Sequence, residues 1–169
     1  MNRIWAPWRK AYLRPKKRSE SKRCLFCHLF SSNRDRENFI LQRSQCCYAV
    51  LNLYPYNNGH ILVVPNRHKS SLAELSNNEK LDLLSLSEKI QQALSETLKP
   101  HGFNLGINLG MAAGAGIPKH VHLHIVPRWK GDVNFMPVIS EVKVISESLE
   151  SVYRTVKKKL KPLKDGCCD

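Results

Sequence analysis

The chain has 169 residues, 42% hydrophobic and 24% charged, the composition of an ordinary soluble domain able to bury a core. Its longest apolar runs, such as Ile61 to Val64, are far too short to cross a bilayer, and Met1-Asn2-Arg3-Ile4-Trp5 is not followed by the apolar stretch of a secretory signal. These features speak against a membrane protein and lead to the expectation of a cytoplasmic one, whose cysteines stay reduced and whose closely spaced pairs favour metal over disulfide. The formal charge of +13 gathers near the ends, at Arg14, Lys16, Lys17, Arg18, Lys22 and Arg23, and at Lys157, Lys158, Lys159, Lys161 and Lys164. Such runs are first of all solvated surface. A basic surface also attracts polyanionic substrates and, more weakly here, nucleic acid, for which no reader motif is present.

In chain order, Trp5-Ala6-Pro7-Trp8-Arg9 and Tyr12 form an aromatic, proline-broken arm, followed by a basic linker to residue 23. Cys24-Leu25-Phe26-Cys27-His28 reads as a tight knuckle with no helix visibly starting there. Phe39 to Leu53 is strand-like, densest at Cys47 to Leu51, and Tyr54-Pro55-Tyr56-Asn57-Asn58-Gly59 supplies turn chemistry. His60-Ile61-Leu62-Val63-Val64-Pro65 is a buried strand ended by proline, so an antiparallel hairpin is expected. Leu83, Leu84, Ile90, Leu94 and Leu98 recur at helical spacing and predict a long helix over 77–98, with Pro100 just beyond it. Phe103, Leu105, Ile107 and Leu109 alternate as in a half-buried strand. Gly110 to Gly116 is a small-residue loop, and a last amphipathic helix is expected over 146–160. The pattern is α+β, dominated by an antiparallel sheet with one long helix and a C-terminal helix. It divides into an arm and linker over 1–23, a body over 24–161 and a tail over 162–169, for whose Cys167-Cys168 the sequence offers no role.

His120-Val121-His122-Leu123-His124-Ile125-Val126 stands out. In a strand, the three imidazoles share one face while Val121, Leu123 and Ile125 line the other. The run is embedded between a glycine-rich approach and Pro127-Arg128-Trp129, unlike a terminal tag, and it points to catalysis or metal binding. Cys24-x-x-Cys27 has three readings. A redox dithiol lacks the expected βαβ surroundings. Haem attachment through Cys-x-x-Cys-His belongs outside the cytoplasm. Half of a zinc site needs two further ligands, for which His60, His68, His101 and the histidine run are candidates.

The histidine run resembles the H-φ-H-φ-H-φ-φ signature of the histidine triad (HIT) family of nucleotide hydrolases and transferases. Gly59-His60-Ile61-Leu62-Val63-Val64-Pro65-Asn66-Arg67-His68 is similar to a second family segment. Trp5 to Arg9, Gly116-Ile117-Pro118, Pro127-Arg128-Trp129 and Gly131 to Met136 resemble a bacterial subgroup similar to diadenosine tetraphosphate phosphorylases and hydrolases. The resemblance implies the HIT fold, a homodimer and an adenosine polyphosphate substrate. It implies that His122 is the nucleophile, forming a nucleotidyl-histidine, and that His124 donates to phosphate oxygens. It implies a closed, structural zinc site of Cys24, Cys27, His68 and His120. It places Asn52 near the ribose, Leu51 and Leu53 near the base, Asn108 and the backbone around Gly116 near phosphate, and Trp129 near the leaving group. Many family members carry Gln, Ser or Thr just before the triad. Here Gly116-Ile117-Pro118-Lys119 takes that place, which leaves phosphate, the favoured acceptor, in competition with water. Alternatives are a hydrolase, phosphoramidase-like or acting on dinucleoside polyphosphates, and a nucleotide-sensing regulator whose basic ends bind RNA or an acidic partner.

Overall fold

A computed structural model of the protein describes residues 24–132 and 145–160. The aromatic arm, most of the basic residues near the ends, the motif beyond Asp132 and the tail lie outside the described residues.

Helix α1 (Leu25–Ser31) begins directly after Cys24, contrary to the expectation of a knuckle without a helix. Two strands follow, β1 (Ile40–Arg43) and β2 (Cys47–Leu51), where the sequence suggested one strand-like stretch. The turn between them has no glycine or proline. It is closed instead by Ser44 N–H donating to the Cys47 carbonyl (2.8 Å) and by Asp82 of the long helix, which accepts from Ser44 Oγ (2.6 Å) and Cys46 N–H (2.7 Å). Strand β3 (Ile61–Pro65) pairs with β2 as the expected hairpin. Helix α2 (Asn77–Leu98) has the expected span, opened by a reciprocal Ser76–Glu79 capping box. Strands β4 (Gly102–Ile107) and β5 (Leu123–Arg128) complete an antiparallel sheet ordered β1-β2-β3-β5-β4, and helix α3 (Leu149–Lys157) closes the body.

Alternation along the strands divides the sheet's residues between two cores. Leu41, Cys47, Ala49, Leu51, Ile61, Val63, Leu123 and Ile125 pack with Leu83, Leu86, Ile90 and Leu94 of α2 and Val152, Tyr153 and Val156 of α3. Leu84, expected on the apolar stripe, is exposed instead, and Leu86 is buried. The opposite set, Ile40, Tyr48, Val50, Leu62 and Val64, packs against Phe26 of α1, with Ile117 at the margin. Arg43 fastens α1 to the sheet, bonding Asp35 through Nε and a terminal nitrogen, donating to the Phe30 carbonyl (3.0 Å), and lying 5.0 Å from the Phe30 ring centre. The histidines belong to this second side.

Among the described residues Cys24, Cys27 and Cys47 are free thiols. No helix among the described residues is long and apolar enough to cross a membrane.

Candidate active site and metal centre

The register of β5 on β3 sets His124 opposite Leu62, with Ile61 opposite Ile125 and Val63 opposite Leu123. That alternation sends the imidazole away from the α2 core. His120 and His122 precede the strand as assigned, but both are buried. His122 Nδ1 lies 2.9 Å from the His120 carbonyl. A carbonyl only accepts, so Nδ1 carries the proton and the neutral ring keeps its lone pair on Nε2. Burial lowers the pKa of His122, against a smaller opposing effect of this hydrogen bond, and keeps the ring neutral.

His124 is set up by a second chain of donors. The backbone N–H of Tyr56 donates to His60 Nδ1 (3.0 Å), as does the Asn52 amide Nδ2 (3.2 Å). The His60 proton is therefore on Nε2, which lies 2.9 Å from His124 Nδ1 and donates to it. His124 must then carry its own proton on Nε2. That atom is buried and has no hydrogen-bond partner among the described residues, a donor waiting for an acceptor that a ligand would bring. Burial first, and the neighbouring His122 second, pull the His124 pKa down to about 4, so the donor form persists at neutral pH. The Tyr56 ring stacks on His124 at 5.6 Å and 8°. Gly59, just before His60, adopts φ +71°, and a Cβ there would come within 2.6 Å of Leu98 Cδ1, so the turn delivering His60 needs glycine.

The four residues assigned to metal come together. Cys24, Cys27, His68 and His120 offer ligand atoms all within 4.8 Å of one another. His120 Nδ1 is 3.4 Å from Cys24 Sγ and 3.6 Å from Cys27 Sγ, and His68 Nδ1 is 3.3 Å from Cys27 Sγ. Tetrahedral bonds of about 2.0 Å to nitrogen and 2.3 Å to sulfur give edges of about 3.3–3.8 Å, close to these separations. His120 Nε2 donates to the Pro65 carbonyl (2.9 Å), leaving its Nδ1 lone pair turned toward the thiols. The donor set fits a closed Cys₂His₂ metal site. His60, considered as a ligand, serves His124 instead, and His101 accepts from the Lys130 backbone.

The outlying residues are less uniform. Asn52 Oδ1 accepts from Tyr54 N–H (2.9 Å) in a local turn, while its amide supports His60. Leu53 is exposed at the mouth of the loop, whereas neighbouring Leu51 belongs to the main core. Asn108 lies at the end of β4, its amide nitrogen 3.8 Å from where a Gly114 Cβ would stand. Gly116 is exposed in the loop before the triad. Trp129 is half-buried, with its backbone N–H donating to Asp132 (3.1 Å). Among the described residues, no hydrogen bond joins Asn108, Gly116 or Trp129 to the histidines. The sequence offered His60 only as a candidate metal ligand, and it assigned no role to Tyr56 or Phe26. The first two could have been sought in the turn before β3, since antiparallel pairing brings the start of β3 beside β5.

A sheet of this order carries a buried triad with one lone pair and one donor prepared for a ligand. The HIT domain matches residues 33–131, and the chain belongs to that family. It is 40% identical over 159 residues to AP-4-A phosphorylase of Mycobacterium tuberculosis, covering 91% of this chain and 82% of the relative. It is 35% identical over 117 residues to the asymmetrical bis(5'-nucleosyl)-tetraphosphatase of Schizosaccharomyces pombe, covering 69% and 64%. Among solved structures it resembles a zinc-bound histidine triad family protein from Mycobacterium smegmatis, with a TM-score of 0.67 and 26% identity over 82% of this chain and 93% of that one.

Proposed function

We propose that this protein is an enzyme that cleaves dinucleoside polyphosphates of the diadenosine tetraphosphate kind, by double displacement through His122. The observation that carries the reading is the pairing of a buried imidazole whose lone pair is on Nε2 with a neighbouring imidazole whose buried N–H has no partner among the described residues. The two ring centres are 4.9 Å apart. Both relatives named above have names that describe such substrates, which supports the same class here.

In the first step His122 Nε2 attacks the α-phosphorus. The N–P bond forms as the bond from phosphorus to the bridging oxygen breaks, and a nucleoside polyphosphate departs. The attacking ring becomes cationic, and its Nδ1–H is already held by the His120 carbonyl. Negative charge on the phosphoryl oxygens meets the His124 Nε2–H, a donor fixed before substrate arrives. In the second step an acceptor displaces His122 from phosphorus. Phosphate is the favoured acceptor, supported by the phosphorylase relative, and water is second. Asn52 and Leu53 face nucleoside in this reading, Asn108 and the backbone near Gly116 face phosphate, and Trp129 borders the leaving group.

Cys24, Cys27, His68 and His120 would hold zinc, which supplies a structural cross-link between α1 and the triad and leaves no position open for water. The protein would act as a cytoplasmic homodimer, with the arm over 1–23 and the tail over 162–169 flanking the catalytic body. Dimerisation is supported by β4, an edge strand exposing Leu105, with Leu109 and Met111 exposed just beyond it.

Incubation with diadenosine tetraphosphate, with and without phosphate, tests the reading. ATP plus ADP identifies phosphate as acceptor, and ATP plus AMP identifies water. His122→Ala is expected to lower turnover by about 10⁴-fold. Substantial turnover by that variant would reject the nucleophile.

A further inference from the structure

Phe26 lies between the two cysteines of the metal cluster, and the reaction just described gives it no part. Its ring is 3% exposed and touches two histidines at once, with centroids 5.4 Å from His120 at 81° and 4.9 Å from His122 at 56°. His122 therefore has Phe26 against it at 4.9 Å and His124 against it at 4.9 Å, while its Nδ1–H is fixed by the His120 carbonyl. The backbone under Phe26 is fixed as well: Tyr48, fully buried, donates its hydroxyl to the Phe26 carbonyl at 2.8 Å. Around the ring, Ile40, Tyr48, Val50, Leu62 and Val64 form the core on the histidine side of the sheet.

We infer that Phe26 is a positioning residue for the nucleophile, the side chain through which the metal-bearing helix sets the orientation of His122. This rests on His122 being the attacking group. Its ring can turn about the bond to Cβ, and the single hydrogen bond at Nδ1 resists only part of that motion. A bulky ring wedged against it removes the remaining freedom, so Nε2 is aimed before substrate arrives. Cys24 lies two residues before Phe26 and Cys27 immediately after it. Anchoring their sulfur atoms therefore anchors the wedge, and the structural site acquires a route to the chemistry that needs no contact with substrate.

The test compares metal-loaded wild type with Phe26→Leu and Phe26→Ala in four measurements: zinc content, KM, kcat for diadenosine tetraphosphate, and the aromatic proton–carbon resonances of His122, assigned with His122→Gln. Phe26→Leu keeps most of the volume and guards against loss of folding. The expected result is unchanged zinc content and KM, with kcat lower by about tenfold for Leu and about a hundredfold for Ala. The His122 resonances should shift and broaden as its ring is released. Unchanged kcat at full zinc content overturns the inference, as does a loss of kcat that only follows a loss of zinc. Should the wild type turn over no dinucleoside polyphosphate, the proposed reaction fails by itself, and the resonances still decide whether Phe26 orders the ring: unshifted signals in the Leu variant reject it.

Discussion

His124 can donate only because His60 tells it where to keep its proton, and His60 is told by the Tyr56 backbone. Replacing His60 with Phe removes the donor to His124 Nδ1 and frees the ring to adopt the tautomer with Nε2 bare. Turnover is expected to fall by about tenfold to a hundredfold, with His60→Gln, whose amide can still donate, keeping more of it. Nitrogen chemical shifts of the His124 ring check the cause. A second expectation concerns titration. The His124 pKa is depressed to about 4 from an ordinary 6.5, so the unfolded chain takes up a proton before the folded one does. Its contribution to stability is present above pH 6.5 and is lost as pH falls through that window toward 4. Following the His124 ring proton by NMR should place its midpoint well below that of an exposed histidine.

The elements were legible where one local pattern fixed them. Helix α2 announces itself by leucines at helical spacing and by Pro100 just beyond its end, and its observed span agrees. The β1–β2 turn was missed because its stabilising partner, Asp82, lies more than thirty residues away on α2. The same contrast holds within the site: adjacency in the chain exposed the triad and Cys24-x-x-Cys27, whereas the His60–His124 bond spans a separation that only strand pairing closes. Glu79 has a further partner, since Arg67 grips both its oxygens at 2.6 Å, just before His68 of the candidate metal cluster. That grip, and the bonds from Ser76, hold the carboxyl at about 2, well below its ordinary 4.5. Glu79→Gln should cost about 2 kcal/mol at pH 7 in denaturant unfolding. Because the folded-state pKa is lowered, the carboxylate stabilises fully above pH 4.5 and loses its effect as pH falls toward 2. The difference between wild type and variant should shrink across that interval.

At the scale of the molecule, the sheet serves two masters. One set of alternate residues builds the core with α2 and α3, and the other builds the histidine side with α1. A metal at Cys24, Cys27, His68 and His120 should therefore hold the second side far more than the first. Metal analysis is expected to give one zinc per chain, and chelation to lower the melting temperature by about 10 °C, with recovery on adding zinc back. Protection of α2 amides from exchange should persist while α1 loses it. The pairing of β5 with β3 has a consequence of a different order. Neighbouring residues on β5 belong to opposite sides of the sheet, so a displacement of that strand by one position would bury imidazole in the α2 core and turn Leu123 and Ile125 to the histidine side. Two clamps forbid it, the Val121 N–H on the Lys69 carbonyl at 2.7 Å and the His120 Nε2–H on the Pro65 carbonyl at 2.9 Å. A change of length in the loop ahead of His120 would leave both clamps and the phase of β5 in place, but a single residue gained or lost between His120 and Ile125 would exchange the strand's histidine side for its apolar one.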